Sequence, residues 1–427
     1  MNKIYLAFLL TLSLNASNLS EIINLAQSSN LAQISSLNPQ AAQLKYESVR
    51  NAYLPNLTLQ GGYAYQLKDP SVLTPKSGLK ILASIELLLY DGGRREASLA
   101  ALKHMQSSEI LKNEDFKNSL ALNACKLYFN AIALDEIIKA KEAQMDYLQN
   151  ALVRLDKFFT AGLASIDELE AIRAKFEAAK VERLEFIQKR NEIIGNINLL
   201  TNRNLTPKTG SKIEELELNQ NSNKASLKAL EEEIEASKQD VKSESSNTLP
   251  KIFIKNTHSF YKNDFDNDFS NLDPRFKFVT PYLDTIFKKR HSTNEVMLGF
   301  SWKIFDFGAT SKQKQIKEIN SRQAALNLDQ KRLENSINLK NLRSELAILK
   351  EKIKARQAAL NAANSSYDAV WKKYDAGLAG YVEFLQALTA KFEAKSGLEL
   401  SKDEFEIKKA EFLYENGEEI LKRVIDE

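Results

Sequence analysis

The chain has 427 residues, and 27% of them are charged. Its 59 basic and 56 acidic residues leave a net charge of +3, which argues against a nucleic-acid partner because such surfaces carry clustered excess basic charge. The single cysteine, Cys125, excludes an intramolecular disulfide. The three histidines lack metal-ligand spacing, and there is no phosphate-binding glycine loop or nucleophile elbow. We therefore predict neither an enzyme nor a bound cofactor.

The N-terminus has the pattern of a secretory signal peptide. Lys3 precedes an apolar run at residues 4–14, and small residues follow, which predicts cleavage near Ala16. The run is too short for a membrane-spanning helix. No cysteine stands near the cleavage site, so we do not expect a lipid anchor there. The sequence thus predicts an exported protein.

Helical spacing covers residues 19–53, with an interruption predicted at Asn38-Pro39. The apolar period then changes to two, first after Leu54-Pro55 and again after Leu249-Pro250, where proline is allowed because the strand ladder has not yet begun. The alternation predicts four strands at about 54–66, 79–90, 249–261 and 293–305. The alternation is weakest after Pro250, because Asn256 and His258 continue its apolar face. The polar segment 262–292 is expected to be a surface loop.

These strands have the length of tilted strands that cross a bilayer. For any single one of them, a half-buried strand of a soluble sheet is the favoured explanation. Four such strands, each next to a very long helix in an exported chain, favour a wall between lipid and water. Four strands cannot close a barrel, which needs about eight. Because open edges do not persist in lipid, transmembrane strands would require several chains.

Two long helices are bounded by a repeated set of residues. Asp91 and Gly93 precede the first long helix, and Gly162 follows it. Asp306, Gly308 and Gly377 occupy the same places 215 residues later. Each glycine-to-glycine interval is 69 residues and contains no proline or internal glycine. Each interval therefore predicts one helix of about 65 residues, on the order of 100 Å long. The chain is predicted to be an internal duplication.

Apolar residues in both long helices alternate in steps of four and three, which predicts a coiled-coil seam. Lys141 interrupts the first seam and Arg356 interrupts the second at the same register. Either residue could extend out of the seam along its methylene stem, the explanation that we favour, or pair with an acid on a neighbouring helix. The seam residues are Leu127, Ala131, Leu134, Ile138, Met145, Leu148, Leu152, Leu155 and Phe159, followed in the second copy by Leu342, Leu346, Leu349, Ile353, Leu360, Ala363, Tyr367, Val370 and Tyr374.

Further helices are predicted at 165–200, at 225–242 and from the turn after Gly377 towards residue 425. Residues 17–210 and 211–427 would then be two repeats of helix–strand–strand–long helix–turn–helix. This order, with the Leu-Pro, Asp-x-Gly and glycine-turn motifs, resembles the TolC family of outer-membrane efflux channels. The resemblance implies a mainly α protein with a transmembrane β-barrel portion. It further implies a homotrimer with a twelve-stranded barrel on a long α-helical coiled-coil tunnel.

The resemblance also implies a place and partners. The protein would lie in the outer membrane of a Gram-negative bacterium, in contact with its lipid, with a large periplasmic portion. A periplasmic adaptor protein and an inner-membrane pump would dock at the periplasmic end. The expected function is a passive exit duct for small molecules in a tripartite efflux system. The alternatives are an exit duct for type I protein secretion, or a periplasmic coiled-coil scaffold without a pore.

Four residues are implied to form the periplasmic gate. Glu383 and Gln386 match two aspartates that ring the pore in the family's prototype, so one acid is kept and the other is replaced by a neutral residue. Tyr374 matches a tyrosine that helps to latch the closed tip, and Glu168 is the corresponding acid of the first half. The basic residue often found after the turn glycine is absent, since Ala379 stands there.

Helix capping is a second explanation for both acids. Residues 165–168 have the sequence of a capping box, which favours capping for Glu168. Glu383 follows Gly380 by three residues, where an acid interacts favourably with the helix dipole. For Glu383 the pore and capping roles both stay open, and the two roles are compatible.

Overall fold

The computed structural model describes residues 15–68, 74–217, 223–265 and 274–426. Except for its last two residues, the predicted signal peptide lies outside this part of the chain. The fold consists of two compact units. The first contains the described residues of 1–39, 109–229 and 327–427, and the second contains those of 40–108 and 230–326.

Helices dominate the described residues, and two of them have 67 residues each. Their bounds confirm the two long helices predicted between the repeated glycines. The α-helices are α1 (Leu19–Gln27), α2 (Asn30–Ala52), α3 (Arg94–Thr160), α4 (Ile166–Thr201), α5 (Ala225–Ser245), α6 (Thr280–Ile286), α7 (Ala309–Asp375) and α8 (Tyr381–Asn416). None of these helices is both long and apolar enough to cross a membrane.

Four long strands form one antiparallel sheet in the order β2-β3-β6-β7, and the β3–β6 pairing joins the two halves of the sequence. Two small two-stranded sheets, β1 with β4 and β5 with β8, belong to the first unit. The strands are β1 (Asn15–Ser17), β2 (Asn56–Tyr65), β3 (Ser77–Tyr90), β4 (Leu205–Pro207), β5 (Ser211–Ile213), β6 (Lys251–Asp264), β7 (Arg290–Ser301) and β8 (Val424–Asp426).

The last strand of the large sheet ends earlier than its sequence pattern suggests. Apolar alternation continues to Ile304, but β7 ends at Ser301, which pairs with Lys251. The next partner in this register is Pro250, which has no N–H for a ladder hydrogen bond. The Trp302 indole instead donates to the Thr248 carbonyl at 3.0 Å. At its other end the β6–β7 hairpin extends beyond the prediction, since the Asn263 N–H donates to the Lys289 carbonyl at 2.7 Å.

Two predicted helix boundaries are wrong. The interruption near the N-terminus lies at Ser28-Ser29, where both hydroxyls donate to carbonyls of α1, and Pro39 lies inside α2. Such local side-chain bonds compete with the helix ladder. The closing helix ends at Asn416 instead of continuing towards residue 425. Gly417 follows in the left-handed conformation, with φ 78°, and a short 3-10 helix leads into β8.

The main core of the first unit lies where α1 and the small strands pack against the middle of α3 and the ends of α4 and α8. The α1 side chains that face it are completely buried, so this short helix contributes a full apolar face. The largest members of the core are Leu19, Ile22, Ile23, Tyr128, Phe129, Ile197, Leu413 and Ile420.

The seam residues of the long helices are buried or half-buried, apart from the exposed Phe159, but the interpretation favoured for the break at Lys141 is wrong. Lys141 Nζ lies 2.5 Å from Glu182 Oε2 on α4, so this basic residue pairs with an acid on the neighbouring helix. Arg356 has a different environment. Its guanidinium lies against Gly397 of α8, at a point where any side chain on residue 397 would overlap it.

Candidate functional site

The two long helices end in the same backbone turn. Gly162 and Gly377 both have φ 72°, a left-handed conformation that favours glycine. The Leu163 N–H donates to the Phe158 carbonyl at 2.8 Å, and the Leu378 N–H makes the equivalent bond of 2.7 Å in the second half. This is the Schellman motif, which satisfies carbonyls that the helix end leaves free. The predicted turn glycines thus reverse the chain with matching geometry.

The helices that follow the turns begin differently. Before α4, the Ser165 hydroxyl and the Glu168 carboxylate each accept a backbone N–H of the other residue at 3.3 Å, which completes the predicted capping box. Before α8, the cap position is Gly380, which provides no side-chain cap. Within the described residues, the exposed Glu383 carboxylate has no hydrogen bond or ion pair. Glu168 is therefore a capping residue, whereas the Glu383 carboxylate is free to face solvent, as the exposed Gln386 does one turn later.

Tyr374 packs into a group of mainly aromatic side chains beside the second turn, which we call the turn cluster. Its ring stacks on Phe384 of α8, with centroids 4.8 Å apart and planes at 10°. Trp371 contacts the same phenylalanine at 5.5 Å, and Tyr367 does so at 6.3 Å. Because Phe384 is completely buried, these rings fix the end of α7 against the start of α8. The turn cluster comprises Trp371, Tyr367, Tyr374, Phe384, Leu388 and Phe392.

Arg154 connects the ends of the two long helices. Its guanidinium forms an ion pair with the Asp375 carboxylate at 2.6 Å and donates to the Asp375 carbonyl at 3.2 Å. It also lies 5.5 Å from the centre of the Tyr374 ring. Burial raises the pKa of Tyr374, the nearby Arg154 charge opposes that change, and Glu168 adds to it.

Sequence reasoning missed Arg154 and Asp375, although the duplication contained a signal. The residues 215 positions away are Ala369 and Thr160, so neither charge has a counterpart in the other half. Charges that break a repeat in this way are candidates for a contact made once per chain.

The two Asp-x-Gly motifs stand where strands give way to the long helices. The Asp91 carboxylate accepts the Arg95 N–H at 2.9 Å, and the Asp306 carboxylate accepts the Thr310 N–H at the same distance. Hydrogen bonds from the Thr310 hydroxyl and backbone hold the pKa of Asp306 below its usual value. Both aspartates thus satisfy free N–H groups at a helix start. They are structural residues of the junction.

The middle residues of these motifs show why the two junctions differ. Gly92 has φ 75°, and a Cβ there would lie 2.8 Å from Leu249 Cβ, so only glycine fits. Phe307 occupies the equivalent position with φ 53°, an uncommon conformation for a bulky residue. Its exposed ring contacts Phe305 at 4.6 Å between centroids. The second junction therefore accepts backbone strain and presents aromatic side chains to the surroundings.

One face of the large sheet is apolar and exposed. Cross-strand register places alternate residues of all four strands on this face, including Leu59 opposite Ala83 and Ile254 opposite Leu298. Asn256 and His258 interrupt it on β6, as the sequence indicated. The opposite face carries polar side chains, among them the Thr58 and Ser84 hydroxyls, 2.7 Å apart, and the Lys255–Glu86 ion pair of 3.7 Å. The most exposed apolar members are Leu57, Leu59, Tyr63, Val296, Leu298 and Phe300.

Comparison with known proteins decides the family. Residues 24–201 and 219–408 match the outer membrane efflux protein family, which is well over half of the chain. The chain belongs to this family. The matched segments of this outer membrane efflux protein include both long helices, both turns and the large sheet.

Individual relatives agree with this assignment. Outer membrane protein TolC of Escherichia coli (strain K12) is 22% identical over 421 residues, covering 93% of this chain and 83% of TolC. The solved structure of CusC has a TM-score of 0.80 at 15% identity and covers 94% of this chain and 92% of its own. The Campylobacter jejuni CmeC outer membrane channel has a TM-score of 0.79 at 14% identity, covering 94% and 86%. At these identities the structural likeness shows a shared fold.

Membership of the family confirms the predicted resemblance and the prediction of a transport protein rather than an enzyme. It also places the protein in the outer membrane. Within the described ranges, no group of three or more histidine, cysteine or acidic side chains could hold a metal ion.

Proposed function

We propose that this efflux protein is the passive exit channel of a tripartite efflux system and works as a homotrimer. The edge strands of the large sheet are the main support for this proposal. Within the described part of the chain, β2 and β7 are its edge strands, and each has one side without a partner strand. Such edges pair readily with strands of another chain, and lipid does not tolerate them open. Three copies joined edge to edge would give twelve strands, enough for a barrel with an open interior.

The two faces of the sheet suit this arrangement. An outward apolar band and a water-filled interior are the general properties of outer-membrane barrels. The exposed apolar face would contact lipid, and the face with Thr58, Ser84 and the Lys255–Glu86 pair would line the passage. Substrate transfer would need no chemistry from the protein, because an inner-membrane pump would supply the energy. A periplasmic adaptor would join the pump to the helical end of the channel.

We further propose that the helix turns form the periplasmic constriction and that Glu383 faces the pore. Its carboxylate is exposed and has no capping partner in the described residues, unlike that of Glu168. Three copies would place three carboxylates around one axis, with Gln386 one turn deeper. Rings of acidic side chains favour cations. The Tyr374 ring, held in the turn cluster, would support the closed position of α8.

Single-channel recording in planar bilayers tests both proposals. The detergent-purified protein is expected to give stable openings with a preference for cations. Replacing Glu383 by Gln removes the charge but keeps an amide capable of helix capping, so the preference for cations should fall severalfold while the protein remains folded. Glu393→Gln, an exposed acid on the same helix, is the matched control and should leave selectivity unchanged.

The outcomes separate the two proposals. A protein that never inserts or conducts would contradict the channel. Openings with unchanged selectivity in Glu383→Gln would retain the channel and remove Glu383 from its constriction.

A further inference from the structure

The outer end of the β6–β7 hairpin presents two cations on the exposed apolar face of the sheet. Lys262 and Arg290 are direct cross-strand partners. Lys262 shares its side of β6 with Ile252 and Ile254, and Arg290 shares its side of β7 with Leu298. Both cations are exposed. The pair therefore lies at the end of the sheet opposite Asp91 and Asp306, and Ser292 and Asn294 separate Arg290 from the apolar residues on its side of β7.

This pairing is unfavourable without an anion. Side chains directly opposite each other in an antiparallel pair have Cβ atoms about 5 Å apart, and like charges there destabilise the sheet. Lys288 and Lys289 precede Arg290 and add further positive charge. On the described part of β6, Asp264 lies two residues beyond Lys262 on the same side and offsets part of this charge. An external anion between the two side chains would remove the repulsion.

The position of the pair matches the surface of a bilayer. Ten residues separate Ile252 from Lys262, which is about 33 Å along a strand. A strand tilted by about 40° to the barrel axis would place Lys262 about 25 Å above Ile252. This is the height of the apolar band of an outer-membrane barrel. The pair would thus lie level with the headgroups of the outer leaflet, where basic side chains can meet lipid phosphates.

We propose that Lys262 and Arg290 form a binding site for the phosphate groups of anionic lipids in the outer leaflet. The proposal rests on the barrel orientation given under the proposed function. The Arg290 guanidinium can donate two parallel hydrogen bonds to a phosphate, and Lys262 contributes a second positive charge. The site would anchor the hairpin at a fixed depth in the membrane.

Native mass spectrometry of the detergent-purified full-length protein tests this site with lipid A, which carries two phosphates, and with monophosphoryl lipid A. Wild-type protein is expected to bind lipid A more tightly than monophosphoryl lipid A. The double variant Lys262→Gln/Arg290→Gln should bind lipid A about twenty-five-fold more weakly, from about fivefold for each basic residue. Lys80→Gln is the matched control, since Lys80 lies on the opposite face of the sheet, and it should bind like wild type.

If the double variant does not assemble, Lys262→Gln alone should bind lipid A about fivefold more weakly than wild type. The charge-conserving Arg290→Lys should keep most of the wild-type affinity for lipid A. Unchanged affinity in Lys262→Gln/Arg290→Gln, or an equal loss in Lys80→Gln, would overturn the lipid site. Displacement of lipid A by millimolar inorganic phosphate would also overturn it, in favour of a site for free anions. Bilayer conductance of the same preparations keeps the tests separate, because a variant that conducts normally leaves the channel proposal intact.

Discussion

Arg154 of α3 and Asp375 of α7 join the ends of the two long helices in one chain, with 2.6 Å between guanidinium nitrogen and carboxylate oxygen. Arg154 also donates to the Asp375 main-chain carbonyl, so one side chain neutralises an acid and satisfies a free carbonyl at the end of α7. A cation at a helix C-terminus is further favoured by the helix dipole. This contact fixes the two turns relative to each other within a chain.

We predict that Arg154→Gln makes the proposed constriction open more often. An exposed ion pair is worth about 0.5 kcal/mol, and three copies in a trimer would sum to about 1.5 kcal/mol, which is about a tenfold change in the ratio of open to closed states. Open probability in single-channel recordings measures this change. Arg173→Gln is the control, because Arg173 pairs with Glu170 within α4 alone. Equal open probabilities in wild type and Arg154→Gln would show that the pair does not hold the turns closed.

Gly417 is predicted to be indispensable for the end of α8. It has φ 78°, and an added Cβ would overlap the backbone of Asn223 and Lys224. Gly417→Ala should therefore lower the free energy of unfolding by at least about 2 kcal/mol, from the left-handed conformation and the overlap together. Thermal unfolding of the purified protein measures the effect.

Gly195→Ala is the matched control for this substitution. Gly195 lies inside α4 with open space around its Cα, and alanine there should stabilise the helix by up to about 1 kcal/mol. A Gly417→Ala protein as stable as wild type would mean that the chain can rearrange around residue 223.

Asp403 is predicted to make stability depend on pH. Burial, followed by the nearby Glu399 and Glu406 charges, raises its pKa from 3.8 to about 7, against the opposing effect of Lys402. The folded state then binds a proton that the unfolded state has released. The contribution of Asp403 is therefore fully present below pH about 4 and is lost as the pH rises through about 7.

Asp403→Asn should remove this loss, because an amide stays neutral. Between pH 5 and pH 8, the melting temperature should fall less in the variant than in wild type. Glu393→Gln, an exposed acid on the same helix, serves as the control and should follow wild type. A parallel decline in wild type and Asp403→Asn would assign the pH dependence to other groups.

Several features of the fold could be predicted from local sequence motifs. The spacing of Gly93, Gly162, Gly308 and Gly377 predicted two helices that the structure gives with 67 residues each. The Ser165 capping box was predicted correctly because it depends on residues three apart. Gly417 indicates where α8 ends, but the predicted helix continued past this glycine and was therefore too long. Local rules succeeded wherever the deciding contacts were close in sequence.

The sequence by itself determined the duplication, the helix lengths, the turns and the alternating faces of the strands, because each follows from chain sterics and periodic burial over short distances. Only the tertiary structure decided that Lys141 pairs with Glu182, that Arg154 reaches Asp375, and that Lys262 stands opposite Arg290. These pairs are 41, 221 and 28 residues apart in sequence. Their formation depends on how helices and strands pack in register, and no local pattern contains that information.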